Sequence, residues 1–159
     1  MIPSYIKRGE CIVETIVSSL GGKYRLTDVR RKEDTIALFI ESTQTILKCP
    51  YCGAETSKVH SYHTREIQDL PISDHKTVLI VTTRKMQCMN PECNHRFFSE
   101  QHVFAAKNAQ KTKRLVDRIL KTSTEVSSVC SSRLLKNEKI TVGKSSICSM
   151  LKKNATHCG

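Results

Sequence analysis

Four of the eight cysteines form two closely spaced pairs, and paired thiols are the side chains of this 159-residue chain best suited to metal binding. Two residues separate Cys49 from Cys52, four separate Cys88 from Cys93, and 35 lie between the pairs. Thiolates spaced in this way surround one zinc ion tetrahedrally. We therefore predict one structural zinc ion held by Cys49, Cys52, Cys88 and Cys93, without an open coordination position for catalysis.

Other interpretations of these cysteines are weaker. A redox-active Cys-x-x-Cys pair should open a helix within a βαβ unit, and the sequence around Cys49 shows no such pattern. A secreted disulfide framework is disfavoured because no secretory signal precedes the cysteines. His60 and His63 are alternative zinc ligands, but a lone histidine near a strand more often packs or faces solvent.

The segment between and around the cysteine pairs needs the metal to fold. Residues 49–100 contain few large apolar side chains, so they cannot bury enough surface to be stable alone. The free energy of zinc binding then becomes free energy of folding. Gly53 and the Asn90-Pro91 pair supply the turns that bring each pair of thiols together.

The periodicity of the remaining residues predicts the elements that position this site. A helix over residues 10–20 ends at Gly21-Gly22. Strands are predicted at 23–30, 35–41, 65–70 and 77–83, with a turn at 71–76. Three short helices follow, at 112–120, 126–135 and 144–153. We expect an α+β fold of three domains: a small leader of one helix and two strands (1–48), a zinc-ribbon-like β unit (49–100) and a basic three-helix helix-turn-helix unit (101–159).

The positive charge is concentrated in the last third of the chain. The net charge is +11, and residues 101–159 carry 12 Lys or Arg against 3 Asp or Glu. A cationic segment of this kind attracts polyanions, of which nucleic acid is the commonest in cells. No apolar run approaches the ~20 residues that a membrane span requires.

The motifs around the cysteines resemble the N-terminal zinc finger of the ISL-three family of bacterial insertion-sequence transposases. The matching positions are Cys49-Pro50-x-Cys52-Gly53, His60-Ser61-Tyr62, Arg65, Asp69-Leu70-Pro71, Arg84, Cys88, Cys93, Arg96 and Phe98-Ser99-Glu100. In that family a helix-turn-helix domain follows the finger, and residues 108–153 look like one. Met86 and Gly143 depart from the pattern, where an aromatic residue and a serine are usual.

The resemblance implies the DNA-binding N-terminal fragment of a transposase that recognises the terminal inverted repeats of its element. The implied partners are double-stranded DNA, full-length transposase and a second copy of the chain, without a membrane or a small-molecule substrate. The implied location is the bacterial cytoplasm, in association with the nucleoid. A stand-alone, zinc-containing helix-turn-helix transcription regulator is the alternative function.

The family's catalytic domain, of ribonuclease-H type, holds metal ions with three carboxylates. The last third of this chain offers only Asp117, Glu125 and Glu138, on or beside predicted helices, and no sheet to bring them together. We therefore expect this chain not to be an enzyme.

The expected DNA contacts lie on the last helix and on the basic side chains before it. Residues 144–153 turn Ile147, Met150 and Leu151 inward, which leaves serine and lysine side chains for base edges in the major groove. The earlier basic residues are expected to contact phosphates. The full set is Lys111, Lys113, Arg114, Arg118, Arg133, Lys144, Ser145, Ser146, Ser149, Lys152 and Lys153.

Overall fold

A computed structural model describes residues 12–156 as a mixed arrangement of strands and helices. A first helix, α1, covers residues 12–18 of the described part. The further elements are β1 (Tyr24–Lys32), β2 (Thr35–Ser42), β3 (Leu47–Lys48), β4 (Glu55–Thr56), β5 (Val59–Ile72), β6 (His75–Gln87), β7 (Phe97–Ser99), α2 (Lys113–Glu125), α3 (Ser128–Asn137) and α4 (Lys144–Thr156). The predicted α+β class is confirmed. Residues 10 and 11 of the first predicted helix lie outside the described residues.

One five-stranded sheet forms the centre of the described structure. Its strands lie in the order β1-β2-β6-β5, with β2 parallel to β6 and the other neighbours antiparallel. β2 pairs with residues 76–82 of β6, and β7 pairs with residues 85–87 of the same strand. The sheet therefore joins strands from both sides of position 48, where the first domain boundary is predicted. The three-domain division stays a prediction.

One face of the sheet carries the main hydrophobic core. Leu38, Ile40, Ile67 and Leu79 are at most 1% exposed. Val17 and Leu20 from the end of α1, together with Phe104, pack against them. Burial of each such aliphatic side chain stabilises the fold by roughly 1.5–3 kcal/mol. Gly21 and Gly22 have φ values of 128° and 68°, so they end the helix as predicted.

The three C-terminal helices surround a second core. It contains Leu115, Ile119, Leu135, Ile140 and Ile147, all at most 1% exposed. α2 continues to Glu125, beyond the predicted helix end at 120, and within it the buried Ser123 hydroxyl donates to the carbonyl of Ile119 at 2.7 Å. The spacing of Val126, Val129, Cys130, Leu134 and Leu135 predicts an apolar stripe on α3. That prediction is partly wrong, since Val129, Cys130 and Leu134 are exposed.

Residues 110–112, which connect the sheet to the helices, hydrogen-bond to the edge strand β5. The amide of Gln68 in β5 donates to the carbonyl of Gln110 at 2.9 Å, and the amide of Thr112 donates to the carbonyl of Gln68 at 3.0 Å. The Gln68 side chain also donates to the carbonyl of Lys139, between α3 and α4, at 3.2 Å. These bonds fix the helical unit to the edge of β5 and cover backbone groups that an edge strand would leave unpaired.

Candidate metal centre and nucleic-acid interface

The four predicted cysteines meet at one end of the sheet. Their sulfur atoms all lie within 4.8 Å of one another. Cys49 and Cys93 Sγ are 4.0 Å apart, and Cys52 and Cys88 Sγ are 3.6 Å apart. A tetrahedron with zinc–sulfur bonds of about 2.3 Å has sulfur–sulfur edges of about 3.8 Å. The thiols therefore have the type, number and spacing that a single zinc ion requires.

Two turns present these sulfurs. In the first, the Gly53 amide donates to the carbonyl of Cys49 at 2.9 Å, and Gly53 adopts a φ of 76° that other residues rarely tolerate. In the second, the Asn90 side chain accepts from the Glu92 amide at 3.0 Å, and the Asn90 carbonyl accepts from the Cys93 amide at 3.2 Å. Both turns confirm the predicted local chemistry.

The thiols do not ionise equally. A hydrogen bond from the backbone of Ala54 lowers the pKa of Cys52 to about 6, from its ordinary value of 9.0. At Cys88 a backbone hydrogen bond from Asn90 acts to lower the pKa, but burial and the neighbouring thiols outweigh it and raise the pKa to about 12. Four adjacent thiolates repel one another, and a bound dication removes that penalty.

A small apolar cluster supports the metal centre. Met86 and Phe98 pack against Cys49 and Cys88, with 0% and 6% of their surfaces exposed. On the outside, the rings of Tyr51 and His95 stack with centroids 3.6 Å apart, and each belongs to a different cysteine turn. The alternative ligands His60 and His63 do not join the cysteine cluster. His60 lies against Phe97 instead.

A buried ion pair lies where the zinc-binding end meets the main sheet. Arg84 Nη2 donates to Glu100 Oε1 at 2.8 Å, and the two side chains are 14% and 3% exposed. Arg84 also donates to the Gln44 carbonyl at 2.7 Å, just beyond β2. Burial acts to raise the pKa of Glu100, but hydrogen bonds from Arg84 and from Ser42 lower it below its ordinary value. This pair joins β6 and the residue after β7 to the end of β2.

A second buried ion pair holds the helical unit. Asp69, in β5, is 1% exposed and accepts hydrogen bonds from the Thr112 hydroxyl at 2.7 Å and from Arg114 Nε at 2.8 Å. Arg114 Nη2 completes a bidentate contact with Asp69 Oδ2, and Arg114 Nη1 donates to the hydroxyl of Ser19 at 2.6 Å. The guanidinium of Arg114 is therefore engaged within the chain rather than presented to a phosphate.

α4 separates its apolar and polar side chains as predicted. Ile147 is buried, and Met150 and Leu151 are partly buried against the helical core. Exposed positions of α4 carry the side chains that the sequence assigns to DNA: Lys144, Ser145, Ser146, Ser149, Lys152 and Lys153. Ser149 uses its hydroxyl to donate to the Ser145 carbonyl at 3.0 Å.

The other predicted DNA contacts differ in accessibility. Lys113 and Arg133 are exposed. Arg118 is exposed and pairs with Glu138 at 3.1 Å. Lys111 is half-buried beside β5, and its pKa is lowered first by burial and then by the charge of Lys76. Lys111 and Arg114 are therefore the least accessible members of the predicted set.

The comparisons with known proteins agree with the metal site. Residues 47–93 match the family described as the zinc-finger of transposase IS204/IS1001/IS1096/IS1165. That segment contains both cysteine pairs and is similar to the zinc ribbon of these transposases, and its four sulfur atoms lie close enough together to hold one zinc ion.

One curated relative extends the likeness beyond the zinc finger. The transposase for insertion sequence element IS1001 from Bordetella parapertussis is 33% identical over 78 residues. The aligned region covers 46% of this chain and 19% of that protein. The resemblance to the N-terminal part of ISL-three transposases is confirmed. No solved structure matches the chain significantly. Among residues 12–156, no helix is both long and apolar enough to cross a bilayer.

Proposed function

We propose that this chain binds duplex DNA at the ends of an insertion sequence, as the DNA-binding part of a transposase. The observation that carries the proposal is the exposed face of α4, where lysines and serines stand opposite the buried Ile147. The match of residues 47–93 to transposase zinc fingers and the likeness to the IS1001 transposase support the same function.

The helical unit has the parts of a helix-turn-helix. α3 and α4 pack together through Leu135, Ile140 and Ile147, with residues 138–143 between them. α2 packs against both helices. In this arrangement α4 enters the major groove, where Ser145, Ser149 and Lys144 face base edges.

Phosphate contacts come from the exposed basic residues around α4. Lys113, Arg133, Lys152 and Lys153 fill that role, together with Arg118 once its exposed ion pair with Glu138 rearranges. Such surface pairs contribute little stability, so their exchange for a phosphate costs little. Arg114 acts instead by fixing the orientation of α2 against β5.

The target by analogy is the terminal inverted repeat of the element. The aligned part spans 19% of the IS1001 transposase, and the function we propose for the described residues is the recognition of DNA. DNA from the flanks of the gene is therefore the natural probe.

The test is a fluorescence anisotropy titration of the zinc-loaded chain with a duplex from those flanks. The double substitution Lys144→Ala and Lys152→Ala should weaken binding at least ten-fold. The matched control, Lys23→Ala with Lys32→Ala, removes the same charge from exposed positions at the ends of β1 and should change affinity less than two-fold. Equal losses of duplex affinity in both double variants would refute the assignment of DNA binding to α4.

A competition experiment separates element ends from an operator. Unlabelled duplexes from the terminal repeats should displace the probe at lower concentration than shuffled duplexes. A preference for the upstream promoter region over the terminal repeats would favour a transcription regulator.

A further inference from the structure

A cleft of about 450 Å³ opens on the sheet between the zinc-binding turns and the connector, residues 100–112, which leads from β7 to α2. Its floor is the face of β5 and β6 that carries His63, Arg65 and Lys85. Tyr51 from the first cysteine turn and Lys107 from the connector form its walls. The cleft lies outside the face of α4 and outside the cysteine cluster.

The unneutralised charge in the cleft is positive. Glu100 is the acidic residue among its described lining residues, and Arg84 already pairs with that carboxylate. Among the described residues, the ion pairs involve neither Lys85 nor Lys107. Arg65 donates to the Ala109 carbonyl at 2.9 Å and thereby holds the connector wall in place. The two lysines remain exposed and able to bind an anion.

Flat aromatic surfaces accompany this charge. Tyr51 is 51% exposed, and one of its faces is supported by the stacked ring of His95. Phe97 contacts the ring of His60, and the Lys85 ammonium lies 5.3 Å from the centroid of the Phe97 ring. Supported aromatic rings beside lysines are the combination that proteins use to hold single-stranded nucleic acid, because bases stack on rings while cations contact phosphates.

We propose that this cleft binds unpaired nucleotides of a DNA strand. Lys85 and Lys107 contact the phosphate, and a base stacks on the open face of Tyr51. The volume of about 450 Å³ is of the size that holds one nucleotide, so the proposed ligand differs from the duplex that we assign to α4. The choice of DNA as the ligand rests on the proposed function, and the cleft would give the chain a second kind of DNA contact.

The test compares a blunt duplex with the same duplex carrying a three-nucleotide single-stranded tail, using the full zinc-loaded chain. The wild-type chain should bind the tailed duplex at least five-fold more tightly. Tyr51→Ala should abolish that preference, and Tyr51→Phe should retain it because the ring is kept. Lys85→Gln with Lys107→Gln should also remove it. Zinc content and the melting temperature of each variant exclude misfolding.

A matched control is available on the opposite face of the sheet. Tyr62 is 66% exposed and lies with Arg25 and Glu41, away from the cleft. Tyr62→Ala should keep the preference for the tailed duplex.

Equal binding of blunt and tailed duplexes by the wild-type chain would overturn the proposal while leaving duplex recognition by α4 intact. A tail preference that survives Tyr51→Ala would equally overturn it. Failure to bind either duplex would refute duplex recognition by α4. The cleft should then still bind a six-nucleotide oligothymidine, and absence of that binding would refute the cleft proposal as well.

Discussion

The carboxylate of Asp69 illustrates how single residues position this molecule. It lies in β5, and its hydrogen-bond partners, Thr112 and Arg114, lie at the start of α2, more than 40 residues later. Thr112 also caps α2 by accepting from the amide of Leu115. One buried side chain therefore fixes both where α2 begins and how it meets the sheet.

Replacing Asp69 with asparagine should lower the free energy of unfolding by about 3 kcal/mol, because the Arg114 guanidinium loses its charged partner. Urea denaturation of both proteins measures the change. Asp28→Asn, which removes the partner of Arg30 on an exposed surface, serves as the control and should leave the unfolding curve unchanged. A loss of unfolding free energy in Asp28→Asn as large as that in Asp69→Asn would contradict the stabilising role of the Asp69–Arg114 pair.

Replacing Cys88 with serine should reduce bound zinc from one ion per chain to less than about a tenth, and should destabilise the zinc-binding end by several kcal/mol. Metal content is measured by mass spectrometry, and stability by thermal melting. Cys130→Ser provides the matched control because Cys130 is exposed and lies on α3. Full zinc content in Cys88→Ser would show that these four thiols do not form the site.

The sequence identifies the zinc ligands but not the buried ion pairs. Cysteine pairs with turn residues carry their own spacing signal, so Cys49, Cys52, Cys88 and Cys93 are predictable from local pattern. Asp69 and Glu100 lie in matched motifs, yet their partners depend on which strands and helices pack together. Arg114 therefore looks like any other basic residue until the fold is known.

At the scale of elements, β6 connects the two ends of the sheet. Its first half pairs with β2 and its last residues pair with β7, so the strand passes from the main core into the zinc-binding end. The ion pair of Arg84 and Glu100 lies where the pairing of β6 with β2 ends and its pairing with β7 begins. The sheet and the metal centre are consequently one continuous structure.

Stability should depend on the ionisation of Glu100. Its folded-state pKa lies below the ordinary value of 4.5, so the folded chain binds fewer protons and the stabilisation is complete above that pH. It is lost as the pH falls through the lowered folded-state pKa. Glu100→Gln should therefore be less stable than wild type at pH 7, by about 3 kcal/mol, and the difference should narrow as the pH falls below 4.5.

Thermal melting across this range measures the effect. Glu55→Gln, at an exposed carboxylate paired with Lys48, is the control and should melt like wild type at every pH. A stability difference between Glu100→Gln and wild type that does not narrow at any pH below 4.5 would contradict the role of the ionised carboxylate.

Most elements could be predicted because their periodicity is strong. The strand predicted at 77–83 lies within β6, and the helix predicted at 144–153 lies within α4. The turn predicted at 71–76 contains the shorter turn at 73–74 between β5 and β6. The pairing of β2 with β6 could not be predicted, since parallel pairing joins segments distant in sequence and leaves no local signal. The exposed face of α3 also escapes prediction, because its apolar residues resemble a core stripe.

In the molecule as a whole, the zinc-binding end and the helical unit both lie on the same sheet. Hydrogen bonds of Gln68 and Asp69, in β5, fix the helical unit to that sheet. The proposed duplex-binding face of α4 and the proposed cleft beside Tyr51 are therefore held by a common structure rather than joined by a flexible linker. A single DNA end that has both paired and unpaired nucleotides would suit such an arrangement.

The most direct test of this account is the salt dependence of duplex binding by the zinc-loaded chain. If five or six phosphates are contacted, the logarithm of the association constant should fall with the logarithm of salt concentration with a slope on the order of −5. A titration between 50 and 200 mM salt, with a duplex from the flanks of the gene, measures it. Absence of binding, or an affinity independent of salt, would show that this chain is not a DNA-binding unit.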